Sequence, residues 1–341
     1  MICRSYQLAA AAAIFLPSAK AEGNYSIVDV FSPSNFFTEF EFNNNVDQNH
    51  GFVQYLDAPA ANREGLAGYA QGAVYLGVDY KNPTTTGRAS VRVESKKHYN
   101  KGLFIADIAH MPSTAHDGCG LWPAFWTYSP GGHWPDNGEI DIIEGVNTET
   151  SNNVVLHTGY SCRIDDSDTI PTTTSNGHEC QGSVGCRQQA ASSGTWGARF
   201  NEARGGVYAM EWTDRAILTW FFPRNSAMAS KLSRDDGQAI TDTLDFGQPL
   251  ASFVGGSGCS ITDNFKDQVI VFNINFCGDW AGKDWNSRTK CIAHGLNCND
   301  YVAANPSAFE EAYWLINSVR VYQQPANQSI TTTKRGVRFA A

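Results

Sequence analysis

The chain has 341 residues, of which 17% are charged and 12% aromatic, and its formal net charge is −9. Its charged fraction lies below the roughly 25% typical of soluble domains, and its length suits one large β-sandwich or two ordinary domains. The negative charge argues against nucleic acid or an anionic membrane as a partner and says little about a neutral ligand.

The first 21 residues carry the pattern of a secretory signal peptide. Arg4 supplies a positive charge, Leu8–Leu16 is an apolar run too short to span a bilayer, and Ala19-Lys20-Ala21 fits the small-x-small cleavage pattern. A buried helix is the alternative reading of the apolar run. We therefore predict a signal peptide over 1–21, a mature chain beginning at Glu22, and secretion into the extracellular space.

The cysteine count fits a secreted protein. Cys3 would leave with the signal peptide, and the remaining eight cysteines allow up to four disulfides in an oxidising compartment. Eight cysteines permit on the order of a hundred connectivities, so none is assigned. Asn24 and Asn327 begin two N-glycosylation sequons near the predicted mature termini. The C-terminal stretch 324–341 has no hydrophobic run of the kind that a GPI-anchor signal carries. We predict that it is a tail outside the domain.

Between these termini, strand-like runs recur and helical signals are few. The runs are rich in branched and aromatic residues and are bounded by Gly, Asn, Asp and Pro, at 51–57, 72–79, 89–95, 102–109, 206–212, 216–222, 269–276 and 318–323. The best helical signal is 305–314, where Asn305 could cap the helix and Pro306 could be its first residue. No repeat or linker divides the chain, so we predict one all-β domain over 22–323, a two-sheet sandwich.

The motif "GEIDIIEG" places three acids at uneven spacing: Glu139, Asp141 and Glu144. A helix would scatter them around its circumference, and a regular strand would put Glu144 on the apolar face with Ile140, which is costly. One extra residue at Ile142-Ile143, a β-bulge, turns the isoleucines to the core and brings all three acids to the other face. The spacing therefore predicts a bulged strand.

Three acids on one face can perform acid–base chemistry. Across the bulge, two glutamate carboxyls can approach to about 5–6 Å, the range of a retaining glycosidase. Such close anions favour one protonated acid beside one carboxylate. A solvated acidic surface and a calcium site are the alternatives, although calcium loops space their acids along a flexible turn.

The motif "NGEIDIIEGVN" resembles the active-site strand of glycoside hydrolase family 16, and in particular the fungal laminarinase-like endo-β-1,3(4)-glucanases. Other segments share the resemblance, which covers roughly 25–323: "SNFFTEFEF", "HGFVQYLD", "CGLWPAFWTY", "VVLHTG", "GGVYAMEWT", "FCGDWAG" and "NPSAFEEAYWLINSVRVY". The resemblance implies a concanavalin A-like β-jelly roll with a concave substrate cleft.

By position, the resemblance implies that Glu139 is the nucleophile, Asp141 the assisting acid and Glu144 the general acid/base of a double-displacement reaction. It implies no cofactor; a structural calcium occurs in parts of the family, but the sequence does not place its ligands. The expected substrate is a β-glucan of the laminarin or mixed-linkage type.

Aromatic rings near the acids are candidates for stacking on sugar. The resemblance favours Trp134 and, less strongly, Trp280 as substrate-binding residues. Trp122, Trp126 and His157 are equally well read as cleft residues or as structural ones, because an average buried ring belongs to the core. All five are retained as candidate substrate-binding residues.

Other functions stay open at this stage. A β-glucan transglycosylase or a β-galactan hydrolase of the same family is the nearest alternative, and a non-catalytic glucan-binding protein is another. The two intact glutamates disfavour the last of these. The predicted protein acts as a monomer on a polysaccharide, without nucleic acid or membrane as partner.

Overall fold

The computed structural model describes residues 25–114, 117–164, 173–234, 240, 243–286, 290–295 and 297–324. The predicted signal peptide, the asparagines of both sequons and, apart from Gln324, the predicted tail lie outside these residues and stay predictions. Within the described part of the chain, no helix is long and apolar enough to cross a membrane.

Strands dominate the described residues. In chain order they are β1 (Ser26–Phe31), β2 (Phe40–Phe42), β3 (Val53–Tyr55), β4 (Ala67–Ala70), β5 (Ala73–Leu76), β6 (Arg88–Ser90), β7 (Arg92–Ser95), β8 (Gly102–His110), β9 (Leu121–Tyr128), β10 (Glu139–Glu144), β11 (Asn153–His157), β12 (Thr173–Asn176), β13 (Cys186–Ala190), β14 (Gly206–Trp212), β15 (Ala216–Pro223), β16 (Ala251–Val254), β17 (Val269–Phe276) and β18 (Trp314–Gln323).

The strands form two large antiparallel sheets. The front sheet has the order β12-β13-β11-β10-β9-β17-β7-β2, and the back sheet has the order β16-β15-β14-β8-β18-β5-β4, with β1 also paired to β18. The short strands β3 and β6 pair in parallel beside them. This arrangement is a jelly-roll sandwich, which confirms the predicted all-β fold class.

Alternation along each strand decides which residues fill the sandwich. In β9, Leu121 and Phe125 enter the core between the sheets, whereas Ala124 and Trp126 join a separate cluster on the opposite face. Successive side chains of a strand point to opposite faces, so β9 contributes to both layers. We call the outward face of the front sheet the acid face, because it carries Glu139, Asp141 and Glu144.

Helices are short and peripheral: α1 (Phe36–Glu39), α2 (Ala58–Arg63), α3 (Gly197–Glu202), α4 (Ala227–Leu232), α5 (Ile261–Asn264) and α6 (Cys298–Ala304). The helix predicted at 305–314 is wrong in extent. Pro306 does open a helical turn, but the turn is 3₁₀ and ends at Phe309, and Trp314 already begins β18. The apolar residues after the turn pair with the back sheet, and this pairing overrides the local helical signal.

Four disulfides link the eight cysteines that follow Cys3, in agreement with the upper limit predicted from the sequence. They are Cys119–Cys291, Cys162–Cys259, Cys180–Cys186 and Cys277–Cys298. Three of them join cysteines 21 to 172 positions apart, but Cys180–Cys186 joins cysteines only six positions apart, in a loop beside the acid face. The structure thus supplies the connectivity that the sequence left open.

Candidate active site

The central strand β10 carries the predicted bulge. Asp141 and Ile143 pair with two consecutive residues of β9, so Ile142 between them has no partner on that strand. The register against β11 also shifts between Asp141 and Glu144. Both isoleucines of the bulge are fully buried in the core between the sheets. The predicted one-residue irregularity at Ile142-Ile143 is therefore confirmed.

The bulge brings the three acids to one face. Glu139, Asp141 and Glu144 each pair directly with a residue of β9 that belongs to, or packs against, the outward-facing cluster around Trp126. Directly opposite residues of an antiparallel pair share a face, so all three acids lie on the acid face. A regular strand of the same sequence would have buried Glu144 in the core.

Asn152 compensates for the backbone hydrogen bonds that the bulge removes. Its side-chain Nδ2 donates to the carbonyl of Ile142 at 2.8 Å, and its Oδ1 accepts from the backbone N–H of Glu144 at 2.9 Å. Asn152 is wholly buried, where an unpaired backbone group would be costly. The amide of this one side chain therefore fixes the backbone on both sides of Ile143.

At the start of β10, Trp134 binds the first acid. Its indole Nε1 donates a hydrogen bond to Glu139 Oε2 at 2.7 Å, while 48% of the residue remains exposed. The turn between them closes through Gly138 N–H to the carbonyl of Pro135. Gly138 has φ +79°, and a Cβ there would lie 2.5 Å from the carbonyl of Asn264, so only glycine fits. Trp134 thus holds the carboxyl and keeps a ring free for stacking.

At the far end of β10, Trp122 binds the last acid. Its indole Nε1 donates to Glu144 Oε1 at 2.8 Å, and Glu144 is 9% exposed. The Trp122 ring meets Trp280 edge to face, with centroids 6.0 Å apart. Trp280 is half-buried, and its own Nε1 donates to Asp284 Oδ2 at 3.1 Å. The structure therefore brings both predicted tryptophans to the Glu144 end.

The middle acid pairs with the predicted histidine. His157 Nε2 lies 3.5 Å from Asp141 Oδ2, an ion-pair distance that is too long for an ordinary hydrogen bond. The other ring nitrogen, Nδ1, donates to the carbonyl of Gly182 at 2.9 Å, which orients the ring with Nε2 towards the acid. Gly182 belongs to the loop closed by Cys180–Cys186, and a Cβ on Gly185 of that loop would lie 2.8 Å from the His157 ring. We call residues 180–186 the histidine cradle.

Burial dominates the electrostatics of these groups. It raises the pKa of Glu139 above its ordinary range, and the Asp141 charge raises it further, while His157 and the Trp134 hydrogen bond oppose the shift. Burial also raises the pKa of Glu144 well above its ordinary range, with Asp141 adding to the effect and Trp122 opposing it. The pKa of His157 is raised, because the charges of Asp141 and Glu139 outweigh its desolvation. The site therefore favours a His157 imidazolium and a protonated Glu144.

Trp126 forms the floor of the acid face. It is 8% exposed, and its Nε1 donates to Asn273 Oδ1 at 2.9 Å. The guanidinium of Arg92 lies 4.9 Å from its ring centroid, a cation–π distance. Trp126 thus lies on the predicted face, but most of its surface is already covered by protein.

Among the described residues, two groups have the composition of a metal site. Ligand atoms of Glu139, Asp141 and His157 lie within 4.8 Å of one another, as do those of Asp117, Cys119 and His294. The second group is unsuitable, because Cys119 is in a disulfide. In the first, Asp141 and His157 already pair with each other. Neither group offers the six to eight oxygens that calcium takes, so no calcium ligands can be assigned, and a cofactor-free protein stays a prediction.

Sequence reasoning missed three parts of the site. Asn152 and the histidine cradle gave no signal, because their roles depend on which strands pair. Arg92 and Glu94 did give one: they alternate with core valines in a chain short of charge, and in the structure Arg92 Nε donates to Glu94 Oε1 at 2.8 Å on the acid face.

An antiparallel two-sheet jelly roll with an acidic, tryptophan-lined face places the chain among the jelly-roll glycoside hydrolases. The model of the XgeA-like catalytic domain of glycoside hydrolase family 16 matches residues 40–322. The chain belongs to glycoside hydrolase family 16, as the sequence resemblance indicated.

Individual relatives agree with this assignment. An endo-1,3(4)-β-glucanase of Arthroderma benhamiae is 43% identical over 308 residues, which are 88% of this chain and 65% of the relative. The crystal structure of an elongating family 16 β-1,3-glucosyltransferase is 44% identical, with a TM-score of 0.78 over 88% of this chain and 100% of that one. Laminarinase 16A of Phanerochaete chrysosporium, solved with 6-O-glucosyl-laminaritriose in donor and acceptor sites, is 37% identical with a TM-score of 0.79 and the same coverage.

The chain is shorter than many of its relatives. It covers 46% of a 42% identical Aspergillus fumigatus protein and 52% of the Emericella nidulans endo-1,3(4)-β-glucanase XgeA. The chain thus spans about half the length of these curated relatives.

Proposed function

We propose that the protein is a secreted, monomeric, retaining endo-β-1,3(4)-glucanase that hydrolyses laminarin-type or mixed-linkage β-glucans without a cofactor. The observation that carries the proposal is the pair of glutamates at the two ends of a bulged strand, each held by its own indole N–H on one face. Exposed Trp134 offers an aromatic surface for a pyranose ring beside them. Secretion and the monomeric state rest on the sequence patterns alone.

The proposed chemistry is a double displacement. Glu144, protonated, donates its proton to the glycosidic oxygen as the bond from the anomeric carbon to that oxygen breaks. Glu139 attacks the anomeric carbon and forms a glycosyl ester. The Trp134 hydrogen bond occupies Oε2 of Glu139, which leaves Oε1 for the attack.

The second displacement reverses the roles. Glu144, now a carboxylate, takes a proton from water as the water oxygen attacks the anomeric carbon and the ester bond to Glu139 breaks. Asp141 and the His157 imidazolium tune Glu139 through charge, because both influence its pKa. A sugar hydroxyl in place of water would give transglycosylation. This is the second candidate activity, and the 44% identity to a glucosyltransferase supports it.

Two measurements test the proposal. We expect release of reducing sugar from laminarin, lichenan or barley glucan; binding without release would instead support a glucan-binding protein. In Glu144→Ala, azide should restore turnover of substrates with activated leaving groups and give a glycosyl azide of retained configuration. Azide rescue confined to Glu139→Ala would reverse the two assignments, and rescue of neither variant would contradict the mechanism.

A further inference from the structure

Strand pairing lines up one residue from each of six strands across the acid face. The row runs perpendicular to the strands and consists of Glu94, Val271, Trp126, Asp141, Val155 and Arg187. Directly opposite residues share a face, so the whole row lies on the acid face. Arg187 at one end is two strand spacings from the middle acid, about 10 Å, a distance that a disaccharide spans.

Arg187 extends over the Glu144 end of the acid face. Its guanidinium carbon lies 5.8 Å from the centroid of the Trp280 ring, within cation–π range. Trp280 in turn meets the edge of Trp122, whose N–H binds Glu144. Arg187 is thus connected by ring contacts to the residue proposed as acid/base.

The N–H donors of Arg187 have no hydrogen-bond partner among the described residues, although its charge interacts with that of Glu149. Within the described part of the chain, its guanidinium makes no hydrogen bond and no ion pair within 4.0 Å, although a guanidinium carries five N–H donors. The side chain is half-buried rather than fully solvated. A positioned, partly desolvated set of donors of this kind is suited to hydroxyl oxygens of a ligand.

The opposite end of the row is different. Glu94 accepts hydrogen bonds from Asn43, Arg92 and Tyr128, at 2.8 to 3.2 Å. The Glu94 carboxylate is therefore already engaged by neighbouring side chains. At the two ends of the row, Glu94 thus has several side-chain partners, whereas the Arg187 guanidinium has no hydrogen-bond partner among the described residues.

We propose that Arg187, over the face of Trp280, binds hydroxyl groups of the glucan on the leaving-group side of the scissile bond. The side follows from its connection to Glu144, since the group that protonates the glycosidic oxygen must lie against the leaving sugar. This assignment rests on the proposed glucanase function and adds a substrate-binding residue to it.

A residue that holds the leaving sugar also holds an acceptor. In transfer, the acceptor hydroxyl attacks the anomeric carbon, its proton goes to the Glu144 carboxylate, and the ester bond to Glu139 breaks. Water needs no such holding. Arg187 therefore raises the ratio of transglycosylation to hydrolysis.

The test compares two substrates that differ only beyond the scissile bond. Laminarihexaose fills the leaving-group side with sugars, whereas 2,4-dinitrophenyl β-laminaribioside places only an aryl group there. For Arg187→Ala we expect kcat/KM to fall about tenfold or more on the hexaose, as for a lost charged hydrogen bond, and to change less than about twofold on the aryl substrate. With laminaribiose added as acceptor, the ratio of transfer to hydrolysis should fall as well.

Two further variants complete the design. Arg187→Lys keeps the charge but loses the forked N–H donors, so its kcat/KM on the hexaose should lie between those of wild type and Arg187→Ala. If the alanine variant fails to fold, the lysine variant serves as the test. Arg63→Ala is the matched control, because Arg63 is an exposed residue of α2 whose one ion pair with a described residue is a 3.9 Å contact with Glu64. Equal losses on both substrates, or no loss on the hexaose, would overturn the assignment.

Failure of the underlying function would look different. If wild type cleaves neither substrate, the glucanase proposal fails. Arg187 is then tested by titrating laminarihexaose into Glu139→Gln with and without Arg187→Ala and following tryptophan fluorescence. An increase of about tenfold in Kd would support Arg187 as a glucan ligand, and an unchanged Kd would refute it.

Discussion

The two ends of β10 present the same hydrogen bond in different surroundings. At each end an indole N–H donates to a glutamate, at 2.7 Å for Trp134 to Glu139 and 2.8 Å for Trp122 to Glu144. Trp134 is 48% exposed and lies beside a charged histidine, whose ring centroid is 5.7 Å from its own. Trp122 is packed against Trp280, and the Glu144 backbone is held by the neutral amide of Asn152.

The difference shows how two glutamates on one strand can take opposite roles. A hydrogen bond to a carboxylate favours its ionised form, but burial without a nearby cation favours the neutral form. At the Glu139 end, burial raises the pKa of the carboxyl to about 8, and the His157 charge and the Trp134 hydrogen bond oppose that shift, as the proposed nucleophile requires. The Glu144 end is more enclosed, which favours a protonated acid. Substitutions at either end test this comparison.

The largest effect is expected for Asn152→Ala, at the Glu144 end. The substitution leaves the Ile142 carbonyl and the Glu144 N–H buried without partners, at about 1–3 kcal/mol each. We expect the free energy of unfolding to fall by about 2–4 kcal/mol and kcat/KM on laminarin to fall about a hundredfold or more as Glu144 loses its placement.

Urea unfolding and steady-state kinetics measure the two effects of this substitution. Asn152→Asp is the matched variant, because it keeps an acceptor for the Glu144 N–H but loses the donor to Ile142. Wild-type stability and activity in Asn152→Ala would show that Asn152 does not hold the bulge.

His157→Gln removes the cation at the Glu139 end. Since the imidazolium opposes the raised pKa of Glu139, its loss raises that pKa further, and a larger fraction of the nucleophile is protonated at low pH. The pKa of Glu139 is already raised to about 8, so the acid limb of the pH–kcat/KM profile should move to higher pH and activity should fall more below pH 8 than above it. A uniform loss at all pH values would assign His157 a purely structural role.

The two indole hydrogen bonds can be removed separately. Trp134→Phe should raise the pKa of Glu139 and move the acid limb of the pH profile upward, whereas Trp122→Phe should raise the pKa of Glu144 and move the alkaline limb upward. We expect a loss of roughly threefold to tenfold in kcat for each. If both variants move the same limb, the two glutamates do not have separate roles.

The smallest effect concerns the histidine cradle. Gly185→Ala would place a Cβ against the His157 ring, but Gly182→Ala, in the same loop and also at positive φ, meets nothing within 4 Å. Both variants carry the backbone strain, so their difference reports the contacts of a Cβ at position 185, which would lie 2.6 Å from the Leu156 carbonyl and 2.8 Å from the His157 ring. We expect kcat/KM at pH 5 to be about threefold lower in Gly185→Ala than in Gly182→Ala. Identical values would show that the cradle does not position the ring.

The sequence was most informative where the alternation of apolar residues along a strand and the placement of the acids constrain the same segment. The uneven spacing of Glu139, Asp141 and Glu144 conflicts with every regular structure, and only a bulge reconciles buried isoleucines with clustered acids. The strand boundaries of β14 and β17 also follow directly from their apolar runs. In both cases the information is local, so no knowledge of distant pairing was needed.

The rest depended on contacts between distant segments. Asn152 is indistinguishable from a loop asparagine until β11 is known to lie beside β10. Trp126 has the composition of a stacking residue, yet Arg92 covers its ring from a strand 34 positions away in the chain. Pro306 begins a turn, but pairing with the back sheet ends that turn at Phe309.

The bulge has a consequence for how this strand can be altered. An inserted residue is either present or absent, so the acid strand cannot acquire it by degrees. Once present, it depends on Asn152, which is useful only beside it. Position 152 and the length of the strand are therefore expected to be coupled in this chain: deletion of the extra residue would leave the Asn152 side chain without its two backbone partners.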